Sequence, residues 1–212
     1  MGTIKQGILG GFSGKVGTVV GGTWKGIHYM RSLPTSVRNP RTEAQVMQRT
    51  KFMVTIDFLK PITPFIRVGF KNYASRQTAF NAAMSYNVKN AVTGVFPDYE
   101  MDYSNILVSR GSLLPAENAN AVAAERSLNF TWSDNSGVSN ATETDQAMAL
   151  VYNGTKGESV FSTTTGDRSS GSATLNVPEN WIGDTVEVYL GFISENGSLV
   201  ANSVYLGQKT IV

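Results

Sequence analysis

The chain has 212 residues, 41% of them hydrophobic, which is enough to bury a core and too apolar for general disorder. It contains no cysteine and one histidine, His28, which excludes disulfides, thiolate metal sites, cysteine nucleophiles and multi-histidine metal centres. The net charge of +2 conceals a division: residues 1–110 sum to +9 and residues 111–212 to −7. That split suits a polyanion-binding front half, or contact between the front of one copy and the back of the next.

Nine glycines fall within the first 26 residues. A helix would lose about 1 kcal/mol at each interior glycine, so residues 1–40 read as a glycine-rich extended arm and β-hairpin. Residues 15–20 and 23–31 flank Gly21-Gly22, a spacing that predicts a two-residue turn there. A lone hairpin is marginal in water, so the arm is expected to lie on the body of the chain or on a neighbour's sheet. Val16, Val19, Val20, Trp24, Ile27 and Tyr29 are the expected assembly contacts. The run Gly10–Lys15 lacks phosphate-loop spacing, and Val16 stands where serine or threonine would be needed. The first residues do not read as a secretory signal, and no apolar run is long enough to predict a membrane span.

Residues 41–102 read as a helical region. Thr42 and Gln45 form a capping-box pattern ahead of a helix over 43–59. Val46, Met47, Thr50, Met53 and Val54 mark one stripe, and residues 52–59 are apolar on nearly every side, which predicts packing on several faces. Pro61 and Pro64 redirect the chain into shorter helices over 64–73 and 77–92. Asp98, Glu100 and Asp102 share one side of an extended connector, with Tyr99, Met101 and Tyr103 facing inward; the glycine turn and further ligands of a calcium site are missing.

From residue 103 the period becomes two. Strands are expected at 105–109, 127–132, 146–152, 158–162, 173–177, 185–194 and 199–206, an all-β immunoglobulin-like sandwich over 103–212. Val186, Val188 and Leu190 read as core, with Tyr189 at the surface between them. Leu175-Asn-Val-Pro178, Trp181 and the run Gly183–Tyr189 resemble the E-to-F corner of fibronectin type III domains. The fold class is therefore expected to be α+β.

The run from Gly10 through Trp24 to Pro34, together with Arg67-Val-Gly-Phe-Lys-Asn-Tyr73, Asn81-Ala-Ala-Met-Ser-Tyr86 and Ala201-Asn-Ser-Val-Tyr-Leu-Gly207, resembles an uncharacterised family from Bacteroidota and their phages. The resemblance implies no activity and transfers no catalytic residue; its phage association implies a virion or particle component. The expectation is a non-catalytic, self-assembling structural protein without cofactor or metal, in a virion or the cytoplasm, partnered by copies of itself or by other structural subunits. One alternative is a glycan- or protein-binding module using sandwich loops near 133–140 or 163–172. Another is nucleic-acid binding by the basic half, where Arg31, Arg38, Arg41, Arg49, Lys51, Lys60, Arg67, Lys71 and Arg76 follow Trp24 and Tyr29.

Overall fold

A computed structural model describes residues 2–4, 7, 10–24, 26–36, 39, 41–75 and 77–212. The fold is α+β and predominantly β, and the chain divides into two compact units, Met1–Thr42 and Glu43–Val212. No described helix is long and apolar enough to cross a membrane.

The first unit is a four-stranded antiparallel meander of β1 (Thr3–Ile4), β2 (Phe12–Val16), β3 (Val19–Trp24) and β4 (Ile27–Ser32), in that order. The turn expected at Gly21-Gly22 is not there, because both glycines lie inside β3, opposite Met30 and Tyr29. Gly17 (φ 59°) and Gly26 (φ 86°) serve the turns on either side of β3 instead. Gly21 and Gly22 are needed for a different reason. A Cβ on Gly21 would come within 2.2 Å of the Phe12 carbonyl and 2.6 Å of its ring, and one on Gly22 would meet the Tyr29 ring at 3.0 Å. Aromatic rings lie on bare backbone here, as they do where an aromatic neighbour covers a strand glycine.

The second unit opens with helices α1 (Glu43–Leu59), α2 (Thr63–Gly69) and α3 (Ala79–Asn90). Pro64 lies in the first turn of α2, and the Thr78 hydroxyl accepts from the Asn81 N–H to cap α3. A small hairpin of β5 (Val92–Val95) and β6 (Asp98–Met101) follows; Asp98 and Glu100 are exposed, while Tyr99 and Met101 are half-buried. Seven further strands come next: β7 (Glu117–Ala124), β8 (Ser127–Ser133), β9 (Gln146–Asn153), β10 (Glu158–Ser162), β11 (Ser172–Asn176), β12 (Thr185–Ile193) and β13 (Val204–Thr210). They form an antiparallel sheet β11-β8-β7 and another, β10-β9-β12-β13.

One core lies between these sheets, built from Leu128, Phe130 and Trp132 on one side and Ala147, Ala149, Val151, Val186, Val188 and Leu190 on the other. A second core covers the opposite face of β9 and β12. There Met148, Leu150, Tyr152 and Tyr189 meet Phe58, Leu59, Ile66 and Phe70 of the helical segment. Phe58 stands edge-on to Tyr152 with ring centroids 4.8 Å apart, and the Tyr189 hydroxyl donates to the Tyr103 carbonyl at 2.8 Å. Asn87, fully buried on α3, clamps the segment after β6 by donating to Leu107 O and accepting from Leu107 N, both at 3.0 Å.

Three further expectations are corrected. Tyr189 is buried rather than at the surface, since the helices cover its face of the sheet. Residues 105–109 form no strand; Ile106 and Val108 are buried, but the backbone N–H groups of Leu107 and Val108 donate to the side chains of Asn87 and Ser203. The first strand of the β region is Glu117–Ala124, whose alanines and asparagines carry little β-propensity and are held by pairing with β8 around Ala121. On α1 only Thr55, Phe58 and Leu59 are fully buried, so its second half packs on one side instead of several.

Candidate interaction surfaces

In an antiparallel ladder directly paired residues share a face, so the register of the first unit assigns every side chain. One face collects Ile4, Phe12, Val16, Val19 and Met30, with Thr23 bonded to His28 at 3.0 Å. The other collects Val20, Trp24, Ile27 and Tyr29, with Lys15 and Arg31 in one row across three strands. Both faces are open: Met30 is 70% exposed on the first, and Trp24 63% and Ile27 64% on the second. The six residues expected to make assembly contacts are thus divided, Val16 and Val19 on one side and Val20, Trp24, Ile27 and Tyr29 on the other. Ile4, Phe12, Met30, Lys15 and Arg31 join them: the hairpin at Gly17-Thr18 places Phe12 and Lys15, the pairing of β3 with β4 places Met30 and Arg31, and Ile4 follows from its pairing with Phe12.

Such a sheet has little of its own to hold it. Glycines occupy its centre, every residue of β4 is exposed, and β4 presents an outer edge with no strand beside it among the described residues. An edge of this kind is a template for another chain.

The second unit carries two other surfaces. Between α1 and α3 runs an apolar groove of about 650 Å³, walled by Phe52, Ile56, Phe80, Met84 and Val88 with Lys51 at its margin. At one end of the paired sheets lies a polar concavity of about 550 Å³ lined by Asn140, Thr142, Thr144, Ser194, Glu195 and Asn196. A buried cation holds that end together. The Arg168 guanidinium, fully buried over the Phe192 ring, donates to Asp145 at 3.0 Å, Asn135 at 2.6 Å and the Leu114 carbonyl at 2.9 Å. Burial lowers its pKa, and the charge of Asp145 opposes that shift. This network ties the loops near 133–140 and 163–172 to each other, and every buried polar side-chain atom among the described residues has a partner.

The perturbed carboxylates are structural. Hydrogen bonds from Ser104 and Asn105 hold Asp102 below the usual range, donors on Ser136 do so for Asp134, and Lys156 with Asn153 do so for Asp184. Among the described residues no group of three His, Asp or Glu side chains is placed to hold a metal ion. Of the basic positions, Lys51 sits over the Tyr99 ring; Arg38 and Arg76 lie outside the described residues.

No curated protein and no solved structure matches the chain. Residues 11–207 match a family of unknown function (DUF6266), a span that takes in the open sheet from Gly11 onward, the helices and nearly all of the paired sheets. The chain belongs to this family.

Proposed function

We propose that the protein is a non-catalytic structural subunit that associates with copies of itself through its N-terminal sheet, and that its phage-like resemblance reflects a role in a particle. The observation carrying this reading is the sheet of β1–β4, with large apolar side chains exposed on both faces and an open edge at β4. Water is a poor environment for it, and a sheet with too little core gains stability chiefly by being covered or extended. The uncharged face of Ile4, Val16, Val19 and Met30 is the contact surface, with β4 supplying the pairing edge. A second copy is the favoured neighbour because the basic front of one chain complements the acidic back of another.

The order of the seven later strands supports reading this region as an immunoglobulin-like sandwich. Named A, B, C, C′, E, F and G in chain order, they fall into sheets A-B-E and C′-C-F-G, an order that supports the likeness to fibronectin type III domains.

Light scattering on full-length protein over a concentration series tests the assembly reading, beside Val16→Asp with Met30→Asp and beside a chain starting at Glu43. The full chain is expected to form oligomers, and both variants to remain monomeric. A full-length chain that stays monomeric at the highest concentration, or oligomers indifferent to both changes, would reject it.

A further inference from the structure

We propose that the face of the N-terminal sheet opposite the uncharged one binds single-stranded nucleic acid, stacking bases on Trp24 and Tyr29 and holding phosphates with Lys15 and Arg31. Self-association is assigned to the other face and the edge, so this inference stands without it.

Three observations carry the proposal. The register places Trp24, Tyr29, Lys15 and Arg31 on one face, although they come from three strands. Tyr29 packs over Gly22, where a Cβ would lie 3.0 Å from both Cζ and the hydroxyl, so the ring rests on bare backbone while the residue stays 46% exposed. A ring lying on a sheet with its outer surface in water is a stacking platform, and every base has a π-face to offer it. Charge supplies the third argument. Residues 1–42 contain six lysines and arginines and no aspartate or glutamate, so the segment that carries this face has formal charges of one sign.

Trp24 is paired with Ile27 and Tyr29 with Gly22, so the two rings are diagonal neighbours. Diagonal neighbours stand about 7–8 Å apart, which suits successive bases of an extended strand. The row of Lys15, Val20 and Arg31 crosses the strands beside the rings, where the adjoining phosphates would pass. A duplex fits less well, because its bases are already stacked on each other and cannot reach the rings.

The tryptophans provide a direct readout. Trp132 and Trp181 are 6% and 1% exposed, so quenching of tryptophan emission by an added oligonucleotide reports Trp24. Full-length protein titrated with end-labelled oligo-dT and oligo-rU should show quenching together with a rise in label anisotropy. Trp24→Ala should abolish the quenching, and Trp24→Ala and Tyr29→Ala should each weaken binding roughly tenfold, while Trp24→Phe retains most of the affinity. Lys15→Gln with Arg31→Gln should flatten the dependence of binding on salt, by roughly 0.7 in log–log slope for each phosphate no longer neutralised. These charge changes, which leave the aromatic packing alone, keep the test valid if Tyr29→Ala loosens the sheet. The proposal is overturned by absence of binding at low salt, or by affinity indifferent to Trp24→Ala and Tyr29→Ala, which would mean polyanion attraction only. It is equally overturned if vesicles containing phosphatidylserine quench Trp24 and the oligonucleotides do not.

Discussion

Two four-stranded sheets in this chain have opposite surroundings. Strands β9 and β12 are buried on both faces, by the partner sheet on one side and by the helices on the other. The sheet of β1–β4 exposes side chains on both faces. The first therefore draws its stability from within the chain: burying Leu150, Val188 and Tyr189 together removes large apolar areas from water at about 25 cal/mol per Å². The second draws little from within, and its sequence suits that condition. Glycines let aromatic rings settle on its backbone, while Trp24, Ile27 and Met30 stay exposed. A sheet of the first kind builds a fold; a sheet of the second kind leaves its side chains at the surface.

The largest effect is expected where helices and sheet share a core. Phe58→Ala removes the ring that meets Tyr152, Tyr189 and Tyr103 and should cost about 3–5 kcal/mol in urea unfolding. Far-UV and near-UV signals should shift together, because the second unit has its helices and sheets in common cores. Separate transitions would show that the helices are a detachable layer.

Alkali should act on the same seam. Burial pushes the Tyr152 hydroxyl up to about 12 and raises those of Tyr189 and Tyr205 above the ordinary 10.0. As pH climbs through 10.0 the unfolded chain loses these phenolic protons first, so the folded state binds more protons and stability falls with rising pH. The urea midpoint should therefore hold steady near neutrality and drop above pH 10.0, with a smaller drop in Tyr205→Phe; an equal drop in that variant would place the effect elsewhere.

The smallest effect on the body is expected from the open sheet. Gly21→Ala would press a methyl group against the Phe12 carbonyl and ring, so amide exchange over β2–β4 should accelerate. The unfolding midpoint of the second unit should stay within about 0.5 kcal/mol of the parent, as for substitutions remote from a core. A larger loss would mean that the body depends on the sheet.

Local signals were legible where they involve neighbours in sequence. The helix over 43–59 and the strand over 158–162 begin and end where their periodicity and flanking breakers place them. Glycine richness likewise announced an extended first segment. The N-terminal turns were misplaced because a Gly-Gly pair looks alike in a turn and beneath a ring, and only the register separates the two uses. That register also divided the six candidate contact residues between two faces, which no inspection of their spacing could do without the correct turn.

The amino-acid sequence by itself determined the helices, most of the later strands and the charge division, because propensity, capping and period act over a few residues. Tertiary structure alone decided which faces are covered. Tyr189 alternates with its neighbours like a surface residue, yet it is buried because helices far earlier in the chain pack over it. Trp24, Ile27 and Met30 are large and apolar, yet they are exposed, since burial depends on contacts between distant segments rather than on local pattern.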